Sequence, residues 1–343
     1  MTRSLAHALL LTGALCACSD GGAATPFAIG VAERAATSLA RGPARFNPDR
    51  HKSWFSIEAA HKQSPVLFIS DSGTADVYIY SLPALKVVAT ITGFSQPQGL
   101  CSDDKGNVWI ADTNSKVIYE LSHHGRLENE LTDTGGAPVA CAWDATTGNL
   151  AVMNLFGTAS NSGSVLVYAP GSQTPASYTN PAQYYYNFGG YDTNGNLFFD
   201  GRDANGGFML SELRKGATSA DTIALSGGSI DFPGMVEWNA AKHDLIVGDQ
   251  SCGGGYQSCL YAVTITSKSG RITGQTNLQN ESGGPVCDLI QGVLFGSSVA
   301  GSDFDFCGST PSLTALWPYP AGGTPSSYNA KTDSVPVGAA ISK

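Results

Sequence analysis

The side chains able to do chemistry are few and unevenly placed. Eight cysteines are present: Cys16 and Cys18 near the start, then Cys101, Cys141, Cys252, Cys259, Cys287 and Cys307. Cys252 and Cys259 flank Gly253-Gly254-Gly255-Tyr256-Gln257-Ser258, a loop that folds back easily, so these two are expected to pair. A Cys287–Cys307 bridge is expected as well, and Cys101 with Cys141 is left open. Zinc is the sharper alternative for such thiols, but no histidine pair lies near them. A second group sits at the ends of apolar runs: Asp71, Asp112, Asn154, Asp249 and Ser297, with Asp200 one place early and Gly201 in the matching position. A ring of such groups could hold a hard cation or a polyol. The plainer reading, which we favour, is that each accepts backbone N–H groups of its own turn. Glu237 and Asp288 are the other acids of interest. There is no Gly-x-Ser-x-Gly, no His-Glu-x-x-His and no glycine-rich phosphate loop before a helix. The histidines after residue 50 (His51, His61, His123, His124, His243) are scattered, which argues against a Ser–His or Cys–His nucleophile. No cofactor is implied.

The elements that must position these groups are strands. Charged residues make up 14% of the chain against ~25% in an average protein, and there are 41 glycines. That balance disfavours long helices and favours short strands with tight turns. A phrase recurs at Pro97-Gln98-Gly99-Leu100, Pro138-Val139-Ala140-Cys141, Asn187-Phe188-Gly189-Gly190, Pro233-Gly234-Met235-Val236 and Pro285-Val286-Cys287-Asp288. A turn and an apolar strand follow each copy, as in Gly106–Asp112, Gly148–Asn154 and Gly195–Asp200, and two further strands come after. In the last copy the apolar strand is read as Val293–Ser297. Four short strands per 41–52 residues predict propeller blades. Val66–Asp71, Asp76–Ser81 and Lys86–Ile91 lack a first strand, while Pro336–Ser342 is a sixth copy with no strands after it. The expected fold is therefore all-β: a six-bladed propeller over residues 66–343, closed by the C-terminal strand completing the N-terminal blade, which hides two sheet edges.

In this layout one face, called the top, carries the start of each first strand and the turn between the second and third strands. The long turns there (Leu155–Gly163, Gln250–Ser258, Ser298–Ser312) hold Cys252 and Cys307, with Cys259 at the edge of the second, and carry aromatic residues such as Tyr256, Phe304 and Phe306. Long loops on a rigid scaffold are common binding sites. Tyr185, Asp249, Tyr256 and Asp305 are the expected ligand contacts, with Tyr184, Tyr186, Phe304 and Phe306 beside them. Aromatic tips among glycines and acids suit sugars or peptides, and packing between loops is the equal alternative. His123, His124 and His243 fall at the bottom.

The first residues read as an export signal. Arg3 precedes an apolar run over 5–15, too short to span a bilayer. Leu15-Cys16-Ala17-Cys18 resembles a bacterial lipobox, which implies removal of residues 1–17 and lipidation of Cys18. Ordinary cleavage near Ala17 with a free Cys18 thiol is the alternative. Residues 18–65 show no sustained strand alternation and are read as a tether. A cell-envelope location, by anchor only, follows from the resemblance. A formal charge of −9 argues against nucleic acid.

Pro97–Leu121, and Gly106–Asp112 most specifically, resembles an NHL repeat, a family of six-bladed propellers. The chain is also similar to uncharacterised bacterial propeller lipoproteins, a family with no assigned activity. The gluconolactonase family shares the six-bladed layout and holds a divalent metal at the channel mouth. At the matching strand starts this chain offers Gln98, Val139, Phe188, Gly234, Val286 and Val337, so that ligand set is not reproduced. The expected function is a lipid-anchored, monomeric binding or interaction module. Its top-face loops would meet a protein, glycan or small molecule. The alternative is a metal-dependent lactonase-like hydrolase at the channel mouth, using Glu237 or Asp288 with the aspartate ring. A structural scaffold in an envelope complex is a third reading.

Overall fold

A computed structural model describes residues 54–55, 65–158, 161–304, 312–330 and 334–343. These residues form six antiparallel blades arranged in a ring. The first strands line the axis: Pro336–Ser342 in blade one, then Pro97–Ser102, Gly136–Asp144, Tyr185–Tyr191, Pro233–Asn239 and Leu289–Phe295 in blades two to six. The second strands are Val66–Asp71, Val108–Asp112, Asn149–Gly157, Leu197–Arg202, Asp244–Asp249 and Ser298–Asp303. They are buried on both faces because side chains alternate and each blade is covered by two neighbours. Phe68 and its same-side partners pack with Leu100, Ile110 and Tyr119 of blade two. Leu67 and Ile69 turn the other way, onto Ala300 and Leu316 of blade six. Two short additions lie at blade edges. Trp54–Phe55, inside the expected tether, pairs with Val87–Thr92, the fourth strand of blade one. Ala224–Ser226 runs parallel to Ser269–Asn277, the fourth strand of blade five.

The chain end closes the ring as expected. Pro336–Ser342 pairs along Val66–Asp71, from Val66 opposite Ser342 to Asp71 opposite Pro336. Both ends of this strand are pinned. Asp71 accepts from the N–H groups of Ser334 and Val335. At the other end Ser342 Oγ donates to Gly106 O and lies 2.7 Å from His123 Nδ1.

Every first strand bulges near its start, in the same register. Pro97 faces Asp112, yet Leu100 faces Ile110, so the first strand carries one extra residue there. Blades one, three, four, five and six repeat the slip. The bulge brings neighbouring first strands close. A Cβ at Gly99 would lie 2.6 Å from Val139 O, and one at Gly338 would collide with Gln98 O. Glycine is required at both places.

Blade six departs from the expected register. Leu289, not Pro285, stands where Pro97 stands in blade two, because Leu289 faces Asp303. Val293-Leu294-Phe295 completes the first strand and turns at Gly296, so the second strand is Ser298–Asp303 and Asp303 replaces Ser297 at the ring position. Pro285 belongs to the crossover, where it bridges to Gln279 after a turn closed by Asn280.

The ring of acids explains how crossovers are held. Asp112 accepts from Ser95 and Gln96 N–H at 2.7 and 2.8 Å, just before its own first strand. Asp249 accepts from Asp231 and Phe232, and Asp303 from Cys287. Each carboxylate thus ties the end of a second strand to the start of a first strand. Leaving such buried donors unmet costs ~1–3 kcal/mol each. Asp112→Ala is therefore expected to lose at least ~2 kcal/mol of unfolding free energy in urea. Asp203→Ala, in the exposed top turn between the second and third strands of blade four, where it accepts from Asn205 and Gly207, should lose under ~1 kcal/mol.

Candidate functional site

Three regions could bind something: the top loops, the upper channel and the lower channel. On the top, a cavity of about 500 Å³ lies between blades three and four. Asn161 and Ser162 border it from the blade-three loop, Asn180, Gln183 and Tyr184 from the crossover, and Ala204 from blade four. Side-chain hydrogen bonds tie the crossover to blade four. Asn180 Nδ2 donates to Ser211 Oγ and Thr222 Oγ1 at 2.9 and 2.8 Å, and Gln183 Nε2 donates to Asp200 O and Tyr185 O. Tyr184 meets Tyr185 edge to face at 4.9 Å.

Of the expected contacts, Tyr185 turns inward. It packs beside Val139, Leu155 and Phe156 near the axis, and its neighbour Tyr184 faces the groove. Tyr256 is 56% exposed at the tip of the blade-five loop. Asp249 lies under the same loop, fully buried, with its carboxylate accepting three backbone N–H groups, from Asp231, Phe232 and Ser251. Asp305, Phe306 and Cys307 lie outside the described residues, as does Cys18. Asp249 and Tyr256 thus share one corner, and Tyr185 sits one blade away.

The cysteines staple the scaffold. Cys252 and Cys259 are bonded at the base of the Tyr256 loop, with Cα atoms 5.8 Å apart. Cys101 and Cys141 join the first strands of blades two and three, 5.5 Å apart at Cα. Cys287 is disulfide-bonded too. Ligand atoms of Asp249, Cys252 and Cys259 lie within 4.8 Å of one another. Two sulfurs bonded to each other offer no thiolate, so the oxidised trio does not fit a zinc site.

The aspartate ring does not fit a metal either. Asp71, Asp112, Asp249 and Asp303 spend oxygens on backbone N–H groups. In blade three the roles are exchanged: Asp133 accepts from Gly135 and Gly136, and Asn154 Nδ2 donates to Asp133 at 3.2 Å. An amide stands there because the crossover brings its own carboxylate. Asp200, one place early, is fully buried and accepts from Phe188 and Gly234 N–H, so burial holds its carboxyl well above the usual range.

The channel is closed part-way down. Val139, Leu155, Phe188, Ile290 and Val337 crowd its upper part. Below them Gln291, at the place of Gly99 and Gly338, reaches across the axis. Its Oε1 accepts from Leu100 N–H and Ala339 N–H at 2.9 and 3.2 Å, and its Nε2 donates to Leu100 O at 2.8 Å. Sequence reasoning missed Gln291, since only the corrected blade-six register shows a glutamine in a glycine position. Beneath it lies a cavity of about 220 Å³ lined by all six first strands, Glu237 included.

The two acids of the hydrolase reading stand at opposite ends. Asp288 is at the top of blade six, in a positive-φ conformation (126°), with its N–H donating to Ser258 Oγ. Burial first, and Asp303 second, push its carboxyl up to about 8. Glu237 is four residues below Pro233, roughly 13 Å down the strand at ~3.3 Å per residue. Burial lifts it to about 7. The strand register therefore keeps Glu237 apart from the aspartate ring.

Comparison with known proteins places this geometry. Residues 94–116 match the NHL repeat family. A chain in the crystal structure of a nidogen/laminin complex is 11% identical, with a TM-score of 0.63, covering 82% of this chain and 99% of its own. A Bacteroides caccae protein of unknown function is 13% identical, with a TM-score of 0.60, covering 82% of this chain and all of its own. No curated protein matches. The architecture is that of an NHL-type six-bladed propeller.

The raised acids set a pH dependence. Native Glu237 and Asp288 keep protons that the unfolded chain releases above about pH 4. The native state then binds more protons, so stability falls as pH rises, and the loss is complete only above the native values of about 7 and about 8. Urea midpoints should drop between pH 5.5 and 8.5. Glu237→Gln with Asp288→Asn should flatten that slope, by up to ~1.4 kcal/mol per pH unit for each group. A midpoint that rises over this range contradicts the assignment.

Proposed function

We propose that the protein is an exported, lipid-anchored binding module whose top face holds a protein or glycan partner. The observation that carries this reading is the groove of about 500 Å³ beside Tyr184, on a crossover fixed by Asn180 and Gln183. The exposed Tyr256 ring, on a loop closed by Cys252–Cys259, adds a second aromatic contact on the same face. Tyrosine gives wide contact area at low entropic cost. That a chain of this architecture occurs in a nidogen/laminin complex supports a protein partner. The hydrolase alternative would need the aspartates released from their backbone donors, and nothing in the ring favours that.

The anchor rests on Leu15-Cys16-Ala17-Cys18. Cells fed an alkyne fatty acid should yield labelled, membrane-bound protein, and Cys18→Ser should lose label and anchorage together. An unlabelled product with another N-terminus contradicts the anchor.

The binding face is tested by a photo-crosslinking residue placed at 184, at 256 or, on the bottom face, at 124. Positions 184 and 256 should give a discrete adduct in cells that position 124 does not. Adducts from position 124 alone would overturn the top-face reading.

A further inference from the structure

The lower channel cavity is a second site, independent of the top face. All six first strands line it, and its mouth is ringed by Ser102, Trp143, Tyr191 and Trp238. Gln291 forms its roof by bonding across the axis to Ala339 of blade one and Leu100 of blade two, so the cavity is blind. At about 220 Å³ it is smaller than the ~300–1,000 Å³ of drug-sized pockets. A small molecule fits that scale.

Its chemistry is one-sided. Glu237 is the only acid in the lining, and no lysine, arginine or histidine lines it. Leu294 N–H donates to Glu237 Oε2 at 2.8 Å, and the other carboxyl oxygen has no partner among the described residues. The ion pairs among the described residues, Arg126–Glu128, Arg214–Glu212 and Lys268–Asp221, leave Glu237 out. Trp143 stacks on Trp109 and Trp238 on Phe198, which fixes both indoles at the rim. Tyr191 is neutral, because burial raises its hydroxyl far above the usual range. One carboxyl set among indole and phenol rings attracts a cation by charge and by ring quadrupole together.

We propose that this cavity binds a small organic ammonium ion, held by Glu237 at the wall and by Trp143, Tyr191 and Trp238 at the mouth. The groups acting on Glu237 are Lys343 at the end of the C-terminal strand, which favours its charged form, and Tyr319, a blade-six phenol that feels both Glu237 and Asp244. With the carboxyl near 7, about a tenth of it is ionised at pH 6 and nine-tenths at pH 8, so affinity should rise about tenfold across that range.

The test uses the full chain, oxidised, with intrinsic tryptophan fluorescence and calorimetry. The probes are methylammonium, tetramethylammonium, choline and choline's neutral isostere 3,3-dimethyl-1-butanol. At least one cation should bind saturably at pH 8, about tenfold weaker at pH 6, and choline should bind more tightly than the isostere. Glu237→Gln should cost at least tenfold at pH 8 and remove the pH dependence. If that variant does not fold, the wild-type pH profile and the isostere comparison decide. Absence of saturable binding at pH 8 overturns the proposal. So does affinity independent of pH, equal binding of the isostere, or full binding by a folded Glu237→Gln.

Discussion

Carboxylates that accept backbone N–H groups at or beside the tops of the second strands hold this propeller in register. A crossover between blades has no ladder partner of its own, and its buried N–H groups need acceptors. Asp112, Asp249 and Asp303 supply them, and Asp71 does the same for the segment entering the closing strand. Where the pattern varies, the need is still met. Blade three moves the acid to Asp133 and pairs it with Asn154, avoiding two facing carboxylates. Blade four lets Asp200 reach two first strands while Gln183 ties down the crossover.

Because the acids are committed to the fold, function is left to what the fold holds still. On the top face this is the Tyr184 groove and the stapled Tyr256 loop. Inside the ring, Gln291 divides the channel, and the upper part is narrowed by Val139, Leu155, Phe188, Ile290 and Val337 together with Gln98 and Asn187. The lower part keeps Glu237, held by Leu294 N–H through one oxygen, in a lining that also carries Trp143, Tyr191 and Trp238.

The repeat and the closing strand were legible in the sequence because each rests on a recurring local phrase. The acids were expected to accept from their own turns, as Asp71 does from Gly73 and Thr74, but their main donors lie on the crossovers, 16 or more residues away in sequence. The phrase Gly106-Asn107 marks a turn in which Asp103 accepts from Lys105 and Asn107 N–H, and that turn repeats at Asp192. What failed depended on register. Pro285 imitates the repeat's opening proline, yet it closes a crossover turn four residues early, so the blade-six acid was sought at Ser297 and not at Asp303. The same slip hid Gln291. Tyr184 and Tyr185 could not be told apart by type, since alternation sends one to the groove and the other to the axis. Cavities formed by six distant segments leave no local signal at all.

The measurement that bears most directly on this account is hydrogen exchange of the crossover amides of Ser95, Gln96, Asp231 and Phe232, none of which lies in a strand. If the carboxylates clamp them, they exchange as slowly as amides of the first strands, and Asp112→Ala releases Ser95 and Gln96 while leaving Asp231 and Phe232 protected. Fast exchange of all four in the unaltered protein would contradict the account, for the aspartates would then be free to serve a ligand at the channel mouth.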